Sequence, residues 1–318
     1  MESDTSANIQ LMDANKRYLA RTRFKLEVFE SKGTSFQHFF EKVMTKAYPD
    51  FQIVKPQGRR GDEKNDGFVP TTGTYYQVYA PENPTDRVSQ AIKKCEEDFE
   101  GLVSHWGDET AIKEFFFVFN DEYRGGYPEL HHTIASMQQA NPDIKIGLFL
   151  PKDLEDIFLN LSEEKICDVI DYIPDPSGID TIDYDVLTEV LNHILSHEKL
   201  ASGGEVMEVP DFDQKISFNG LSPEVAILLK NGSFQASVLY EFFENNSGFS
   251  RQDLQLRFVS LYEKGKREIA EDVENRSDVI FLFILKESLP KLTKSAENAV
   301  LVLMSYFFES CDIFEEPK

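Results

Sequence analysis

The sequence has few of the features that mark secreted, disulfide-stabilised and membrane-spanning proteins. Its 318 residues include three cysteines, Cys95, Cys167 and Cys311, so no CxxC pair and no disulfide framework is present. The first ten residues show neither the basic nor the apolar segment of a signal peptide. The longest apolar runs are much shorter than a bilayer span. We therefore expect a cytoplasmic protein that does not contact the membrane.

Several common catalytic motifs are also missing. No GxxxxGK[ST] segment occurs, which excludes ATP hydrolysis by a P-loop, and no GxSxG nucleophile elbow occurs. The pair His131 and His132 is adjacent, so both rings cannot face one ion from a regular helix or strand. No cysteine or carboxylate pair accompanies them at ligand spacing, which argues against a zinc site.

Positive charge is scarce. Lysine and arginine total 33 against 56 aspartate and glutamate residues, and the formal net charge is −23. An independent nucleic-acid-binding protein usually carries a basic field, because phosphate contacts dominate its affinity. We expect this chain to reach DNA only through a basic partner or a local basic patch. The candidate patch consists of Lys55, Arg59, Arg60 and Lys64.

The residues that are present predict a globular protein with two folded parts. The hydrophobic fraction of 41% is ordinary, and the length suggests about two domains. After a helix or arm over 1–34, apolar periodicity predicts a helix over 35–48 that ends before Pro49. The following elements alternate in type up to residue 150, which predicts an α/β (α+β) domain with helices on a mixed sheet. They are three β-rich runs up to Tyr79, helices over 86–105 and 127–140, and strands over 115–119 and 144–150.

The second half predicts helices. Residues 151–200 are acidic and helical, 201–222 is a predicted linker that begins with Ala-Ser-Gly-Gly, and 223–318 is helical throughout. We therefore place an arm at 1–34, an α/β domain at 35–200, a linker at 201–222 and an all-α C-terminal domain at 223–318.

The residues that could carry chemistry lie between positions 36 and 94. Mg²⁺ prefers hard oxygen ligands, usually one or two carboxylates with water and substrate phosphate. Glu41 lies at the edge of the apolar face of the first helix. Asp62 and Asp66 lie in the loop before the second strand, and Gln77 and Tyr79 share one face of the third. Spacing alone also fits turn formation by the aspartates and a solvated position for Glu41.

The segment Gly61-Asp-Glu-Lys-Asn-Asp-Gly67, followed by Gln77-Val-Tyr79, resembles the active-site hairpin of the PD-(D/E)xK nuclease superfamily. The Mrr-like and defence-associated branch, with Asp-Gly and then Gln-x-Lys, is the nearer likeness. The resemblance implies a restriction-endonuclease-like fold, metal binding by Asp66, Gln77 and the helical acid Glu41, and Mg²⁺ as cofactor.

The sequence departs from that pattern at Tyr79, which stands where the family has a catalytic lysine. A phenol with a pKa near 10 is neutral at pH 7 and cannot replace an ammonium group. One interpretation is that Lys93 or Lys94 on the next helix supplies the catalytic lysine, and we include Lys94 among the predicted catalytic residues. A second uses Lys64, Arg59 or Arg60, and a third leaves the site inactive.

A narrower resemblance covers about 35–165 and 223–318. Tyr76-Gln-Val-Tyr-Ala-Pro-Glu82, the helix from Ile92 to Leu102, and Phe117-Val-Phe-Asn-Asp121 look like the nuclease-like N-terminal domain of ABC three-component defence proteins. The tail from Tyr306 to Pro317 resembles the C-terminal helical domain of the same group, which includes Lamassu-type systems.

This resemblance implies an effector subunit held by an SMC-like ABC ATPase and a small third subunit, acting on phage or plasmid DNA. Its C-terminal domain would then be a docking domain, and the chain could self-associate when activated. Two hypotheses follow: an Mg²⁺-dependent DNA endonuclease with Glu41, Asp66, Gln77 and Lys94 in its site, or a catalytically degenerate interaction subunit, which Tyr79 favours. A nucleotide-signal binding module is a weaker third hypothesis, since 201–318 contains nothing that resembles a sensor.

Overall fold

The structure, a computed structural model, describes residues 12–55, 64–82, 88–107, 111–179, 181–196, 211–246, 248–310 and 313–317. The chain divides into two compact units. The first includes Glu27–Val169, and the second combines Leu11–Leu26 with Ile170–Lys318. The division falls inside the first helix, whereas the sequence predicted domain limits at 34/35 and 200/201. We call these parts the sheet unit and the helical unit.

The sheet unit has the predicted α-β-β-β-α-β-α-β order from its second helix onward, which makes the protein mixed α/β. Each apolar helical stripe and each β-rich run of the sequence forms the corresponding element. The helices up to residue 170 are α1 (Ala14–Glu30), most of which belongs to the helical unit, α2 (Thr34–Ala47), α3 (Val88–Trp106), α4 (Pro128–Ala140), α5 (Pro151–Leu159) and α6 (Glu163–Ile170). The strands are β1 (Gln52–Ile53), β2 (Gly67–Val69), β3 (Thr74–Tyr79), β4 (Glu114–Phe119) and β5 (Lys145–Phe149).

The five strands lie in the sheet in chain order. Strands β1, β2 and β3 pair antiparallel, and β3, β4 and β5 pair parallel. Gly67 lies opposite Tyr76 in the β2–β3 ladder, and Gln77 lies beside Phe117 in the β3–β4 ladder. The long central strands are aromatic on both faces, as expected of strands that are covered by helices on both sides.

The two faces of the sheet pack against different helices. On one face, Tyr75, Phe115 and Phe117 form a core with residues of α3 and α4. On the other, Phe40 of α2 packs against Tyr76 and Phe149, with ring centroids 5.5 and 5.9 Å apart. Side chains along β3 alternate between these faces, so odd-numbered residues point towards α3.

The helical unit is built around its last helix. Every residue from Ala296 to Phe308 of α13 is buried, because helices α7, α9, α10, α11 and α12 all contact it. A helix that is apolar all round its circumference fits such a central position. The helices are α7 (Tyr184–Leu195), α8 (Phe212–Phe218), α9 (Pro223–Ser233), α10 (Ala236–Asn245), α11 (Arg251–Glu268), α12 (Arg276–Glu287) and α13 (Lys294–Glu309).

The predicted linker 201–222 contains helix α8. Asp211 caps this helix by accepting a hydrogen bond from the Gln214 backbone. Lys215 is buried and its ammonium group donates to the Phe308 backbone carbonyl at 2.8 Å. The same ammonium group lies 4.7 Å from the centre of the Phe308 ring. Helix α8 therefore packs on α13. Its seven residues are too few to show a clear period in the sequence. Among the helices that the structure describes, none has the length and apolar character of a membrane span.

Candidate functional site

The β2–β3 ladder changes at Asp66, one residue before β2 begins. The Asp66 backbone N–H still donates to the Tyr76 carbonyl at 3.0 Å. Its carboxylate Oδ2, however, accepts the backbone N–H of Val78 at 2.7 Å, a place that a partner strand carbonyl would otherwise fill. The side chain is 4% exposed. Asp66 is therefore fixed against the end of β3, where its backbone contacts Tyr76 and its carboxylate contacts Val78, the two neighbours of Gln77.

Glu41 and Asp66 meet at this point, although 25 positions separate them in the sequence. Gln37 joins them, because its Nε2 donates to Glu41 Oε1 at 3.0 Å and to Asp66 Oδ1 at 2.9 Å. Because both carboxylate oxygens lie within 3.0 Å of the same Gln37 nitrogen, the two acids are close neighbours. Glu41 is 8% exposed. We call Gln37, Glu41 and Asp66 the carboxylate cluster.

Gln77 lies on the α3 side of β3, since Tyr75 and Tyr79 on either side of it pack there. Its side chain is 3% exposed, and its Oε1 has no hydrogen-bond partner in the described parts of the chain. Asn65, next to Asp66, is fully buried, and its Nδ2 likewise has no partner there. Most buried polar atoms of native proteins are paired, so these two mark a place where a ligand or water fits.

Tyr79 occupies the position of the catalytic lysine in the nuclease family that the sequence resembles. Its side chain is part of the aromatic core. Its ring stacks on Phe117 and Phe119, with centroids 6.0 and 6.2 Å away. An ammonium group at this position would lie among aromatic rings under α3. The packing explains why a tyrosine suits this fold, and it leaves the position without a cation.

Lys94 lies on α3 and forms an ion pair with Asp98 one turn later, at 2.7 Å. Lys64, two residues before Asp66, reaches the other oxygen of the same carboxylate at 2.8 Å. The Lys64 stem crosses α3 at Gly101, where a Cβ would meet the Lys64 Cγ at 2.6 Å. We call Lys64 and Lys94, which share the Asp98 carboxylate, the lysine pair. Lys93, the alternative candidate, is 73% exposed and pairs with Glu97 on the outer surface of the helix.

Other predicted positions lie elsewhere. Asp62, Arg59 and Arg60 lie outside the described residues. Lys55 is exposed beyond β1. In the part of the chain that the structure covers, no group of three or more histidine, cysteine, aspartate or glutamate side chains is arranged to hold a metal ion. A metal site built from the described residues here would therefore combine two carboxylates with neutral oxygens.

The sequence reasoning missed Gln37, Asn65 and Asp98. Gln37 precedes Glu41 by four residues, a spacing that places both on one side of a helix. Asp98 interrupts the buried stripe of α3 between Cys95 and Phe99. A charged residue inside an apolar stripe signals a buried, paired group, and this signal could have identified Asp98.

Comparison with known proteins gives one match. Residues 185–315 match the family model described as C-terminal domain 10 of the ABC-three component (ABC-3C) systems. The matched segment runs from α7 through α13 and covers less than half of the chain. No curated protein and no solved structure matched the sequence. The match places the protein among the components of ABC-3C systems, which are defence-related.

Proposed function

We propose that the protein is the effector subunit of an ABC-3C defence complex and that its sheet unit is a metal-dependent DNA endonuclease. The observation that carries the proposal is the meeting of two buried carboxylates, Glu41 and Asp66, at the end of β3. Gln37 of α2 bridges the two acids, so their oxygens converge from a helix and from the strand end.

The donor set fits Mg²⁺. Glu41 and Asp66 supply hard anionic oxygens. Gln77, whose Oε1 has no hydrogen-bond partner among the described residues, lies between the two β3 residues that Asp66 contacts. Glu41 and Asp66 would hold the ion, whereas Gln77 faces α3 on the other side of β3. When bound, it would supply Lewis-acid polarisation of a phosphodiester and lower the pKa of a bound water. The chain itself fixes the Asp66 carboxylate through the Val78 N–H and keeps both acids out of bulk water.

The lysine pair is the proposed source of the cation that Tyr79 does not provide. Asp98 is fully buried and holds the Lys64 and Lys94 ammonium groups together at the end of the turn that leads to Asp66. Two ammonium groups on one carboxylate leave a net positive charge, which can offset charge on a phosphate in the transition state. We assign the catalytic lysine role to Lys94, with Lys64 beside it.

The helical unit would dock the subunit in its complex. Its match to a C-terminal domain of ABC-3C systems supports this role. The partners we propose are an SMC-like ABC ATPase and a small third subunit in the cytoplasm, in a Lamassu-like arrangement. DNA would be reached through the complex, and self-association would follow activation.

The test uses the assembled complex, supercoiled plasmid and Mg²⁺. Asp66→Asn and Glu41→Gln remove a charge without changing volume, and each should reduce nicking at least 100-fold, in the range of losing one main catalytic group. Glu297→Gln in the helical unit is the matched control, because it removes a buried carboxylate that lies in α13. Cleavage by the Asp66→Asn complex at the wild-type rate would overturn the site.

A second function rests on Tyr79. Its place in the aromatic stack favours a degenerate nuclease fold that serves as an interaction platform. In that case the wild-type assembly leaves plasmid intact with Mg²⁺ or Mn²⁺, and the Glu41/Asp66 double variant still protects cells against phage. Loss of both nicking and protection in that variant would exclude the platform.

A further inference from the structure

The segment Ile313–Pro317, which follows α13, lies against α11, α13 and the end of α8 in the helical unit. Ile313 and Phe314 are buried, at 1% and 6% exposure. The Phe314 ring packs against Tyr262 of α11 and Phe308 of α13, with ring centroids 4.9 and 5.8 Å away. Buried aromatic side chains of this kind are common anchors of protein interfaces. We call Ile313–Pro317 the docked segment and the surface that it contacts the groove.

Polar contacts fix the docked segment at Glu315. Asn219, directly after α8, donates from Nδ2 to the Glu315 backbone carbonyl and accepts the Glu315 backbone N–H at Oδ1, each at 2.8 Å. The Lys266 ammonium donates to Glu315 Oε1 at 2.8 Å, and the Tyr262 hydroxyl donates to the same oxygen at 3.3 Å. The hydrogen bond from Lys266 is the main reason why the pKa of the Glu315 carboxyl lies below its usual range. The groove therefore recognises an aromatic residue followed by an acid, as peptide-binding sites combine backbone hydrogen bonds with side-chain pockets.

We propose that a second copy of this chain supplies the docked segment, so that two chains exchange segments and pair through their helical units. This inference rests on the self-association in the proposed function and names the surface that performs it. The groove already holds this chain's own sequence, and a second copy brings the same Phe314 and Glu315 to it. Because each copy offers one groove and one segment, the exchange is reciprocal and gives a closed two-fold dimer.

The covalent connection limits how the two copies meet. Three peptide bonds join Ser310, the C-cap of α13, to Ile313, so the Cα atoms of these residues are at most about 11 Å apart. The docked segment can therefore reach only a groove that lies beside the end of its own α13. We expect the C-terminal ends of the two α13 helices to be neighbours in the dimer, where both exchanges occur together.

The docked segment is suited to release. Phe314 has a φ of 64°, in the left-handed region that bulky side chains rarely adopt, so its docked backbone is strained. The Glu315 side chain is 57% exposed, and exposed ion pairs contribute little to stability. The chain's own segment still competes at a roughly millimolar effective concentration, because its connection is short. We therefore expect monomers in dilute solution and exchange where the defence complex brings copies together.

The test exchanges charges between two full-length variants. Lys266→Glu reverses the groove and keeps the segment, whereas Glu315→Lys reverses the segment and keeps the groove. Each variant alone opposes like charges, and a mixed dimer restores both attractions. At about 200 μM, below the effective concentration of the closed form, we expect the mixture to dimerise at least about tenfold more tightly than either variant alone, as measured by sedimentation velocity. The double variant Lys266→Glu/Glu315→Lys restores the internal pair in one chain and should match wild type.

Lys291 and Glu189 form an exposed ion pair at 2.6 Å on elements outside the groove, which provides the matched control. A mixture of Lys291→Glu and Glu189→Lys should stay monomeric. A fluorescent peptide of residues 310–318 measures the groove independently of any Lys266 variant. Full-length Phe314→Ser should bind this peptide at least about tenfold more tightly than wild type, whose groove is filled, and fluorescence anisotropy measures it.

The outcomes separate this inference from the proposed function. If the Lys266→Glu and Glu315→Lys mixture stays monomeric, or the control mixture dimerises as well, segment exchange is wrong. Equal peptide binding by wild type and Phe314→Ser also overturns it, and peptide binding without a heterodimer assigns the groove to a different partner. Self-association of the active complex that persists in Glu315→Lys defeats the exchange alone. A wild-type complex that never self-associates defeats that part of the proposed function too, whereas plasmid nicking reports on the sheet unit separately.

Discussion

At the scale of single residues, Asp98 shows how one buried acid organises two elements. Its carboxylate is fully buried, yet each oxygen contacts a lysine, Lys94 from its own helix and Lys64 from the turn before β2. The two ammonium groups remain partly exposed, so they can regain water if the acid is removed. Asp98 cannot do so if the lysines are removed. Removing both lysines should therefore lower the free energy of unfolding more than removing all three charged groups does.

We expect the double variant Lys64→Met/Lys94→Met to lose about 3 kcal/mol of unfolding free energy, because it leaves Asp98 buried without a cation. Adding Asp98→Asn should restore most of that loss. Urea unfolding of the three proteins measures it. Lys93→Met should change stability by no more than about 0.5 kcal/mol, as an exposed position does. A further loss on adding Asp98→Asn would contradict the buried-charge argument.

Glu297 is a second buried acid, in the helical unit. It accepts a hydrogen bond from the Asp175 backbone at 3.3 Å, and Asp175 pairs with Lys294 at 3.1 Å. Burial, together with the nearby Asp175 charge, raises the pKa of Glu297 to about 7. The folded state thus holds a proton that the unfolded state releases above its ordinary pKa near 4.5. Glu297 therefore stabilises the protein below pH 4.5, and this contribution is lost as the pH rises through 7.

The pH dependence can be isolated with Glu297→Gln. Between pH 4.5 and 8, we expect the stability of wild type relative to this variant to fall by about 3 kcal/mol, the equivalent of the pKa difference. Denaturant unfolding at both pH values gives the four free energies needed. Parallel pH curves for the two proteins would show that Glu297 does not titrate in this window.

The residue types at the candidate site could be read from the sequence, but their contacts could not. Glu41 and Asp66 stand out as acids beside apolar elements, and their meeting is what a metal site requires. Gln37 gives no such signal, because a glutamine on a helix is usually solvated. Its role depends on where α2 crosses the end of β3, which is a property of the tertiary structure.

At the scale of elements, the contact between α9 and α13 is unusually close. Gly232 near the end of α9 faces α13, and a Cβ there would lie 2.0 Å from Ser305 Oγ and 2.7 Å from the Leu301 carbonyl oxygen. Ser305 Oγ donates to the Leu229 carbonyl at 2.9 Å across the same contact. A side chain as small as a methyl group has no room, since backbone cannot move aside as a flexible side chain can.

Gly232→Ala should therefore destabilise the helical unit by about 2 to 3 kcal/mol, as overpacking of a filled core does. Thermal unfolding followed by circular dichroism measures it. Gly248→Ala is the matched control, because nothing lies within 4 Å of a Cβ at that glycine, and its effect should stay below about 0.5 kcal/mol. Equal melting temperatures for the two variants would mean that α9 and α13 can separate without loss.

Elements with a clear period were the ones the sequence located well. Helices α2 and α3 lie close to their predicted limits, because apolar stripes define them. Helix α8 has seven residues, which span too few periods for the sequence pattern to locate it. The division of the units inside α1 has no local signal, since it depends on which later helices the first half of α1 meets.

At the scale of the whole molecule, the net charge of −23 opposes DNA binding. Counterion release rewards a protein only where it places cations on phosphates. We expect the purified chain to bind a labelled duplex with a Kd weaker than about 100 μM at roughly 150 mM salt, below the usual range of non-specific binders. Fluorescence anisotropy measures this. Micromolar binding by the chain alone would remove the need for a DNA-binding partner.

The helical unit is discontinuous in the sequence, and this has a consequence for biosynthesis. Its first segment, which includes the buried Leu19 and Phe24, leaves the ribosome before the whole sheet unit, and its remainder begins only at Ile170. The nascent chain must therefore carry apolar surface without a docking site while some 140 residues are translated. A chaperone that shields short apolar helices, or a slow final docking step after release, would serve this interval.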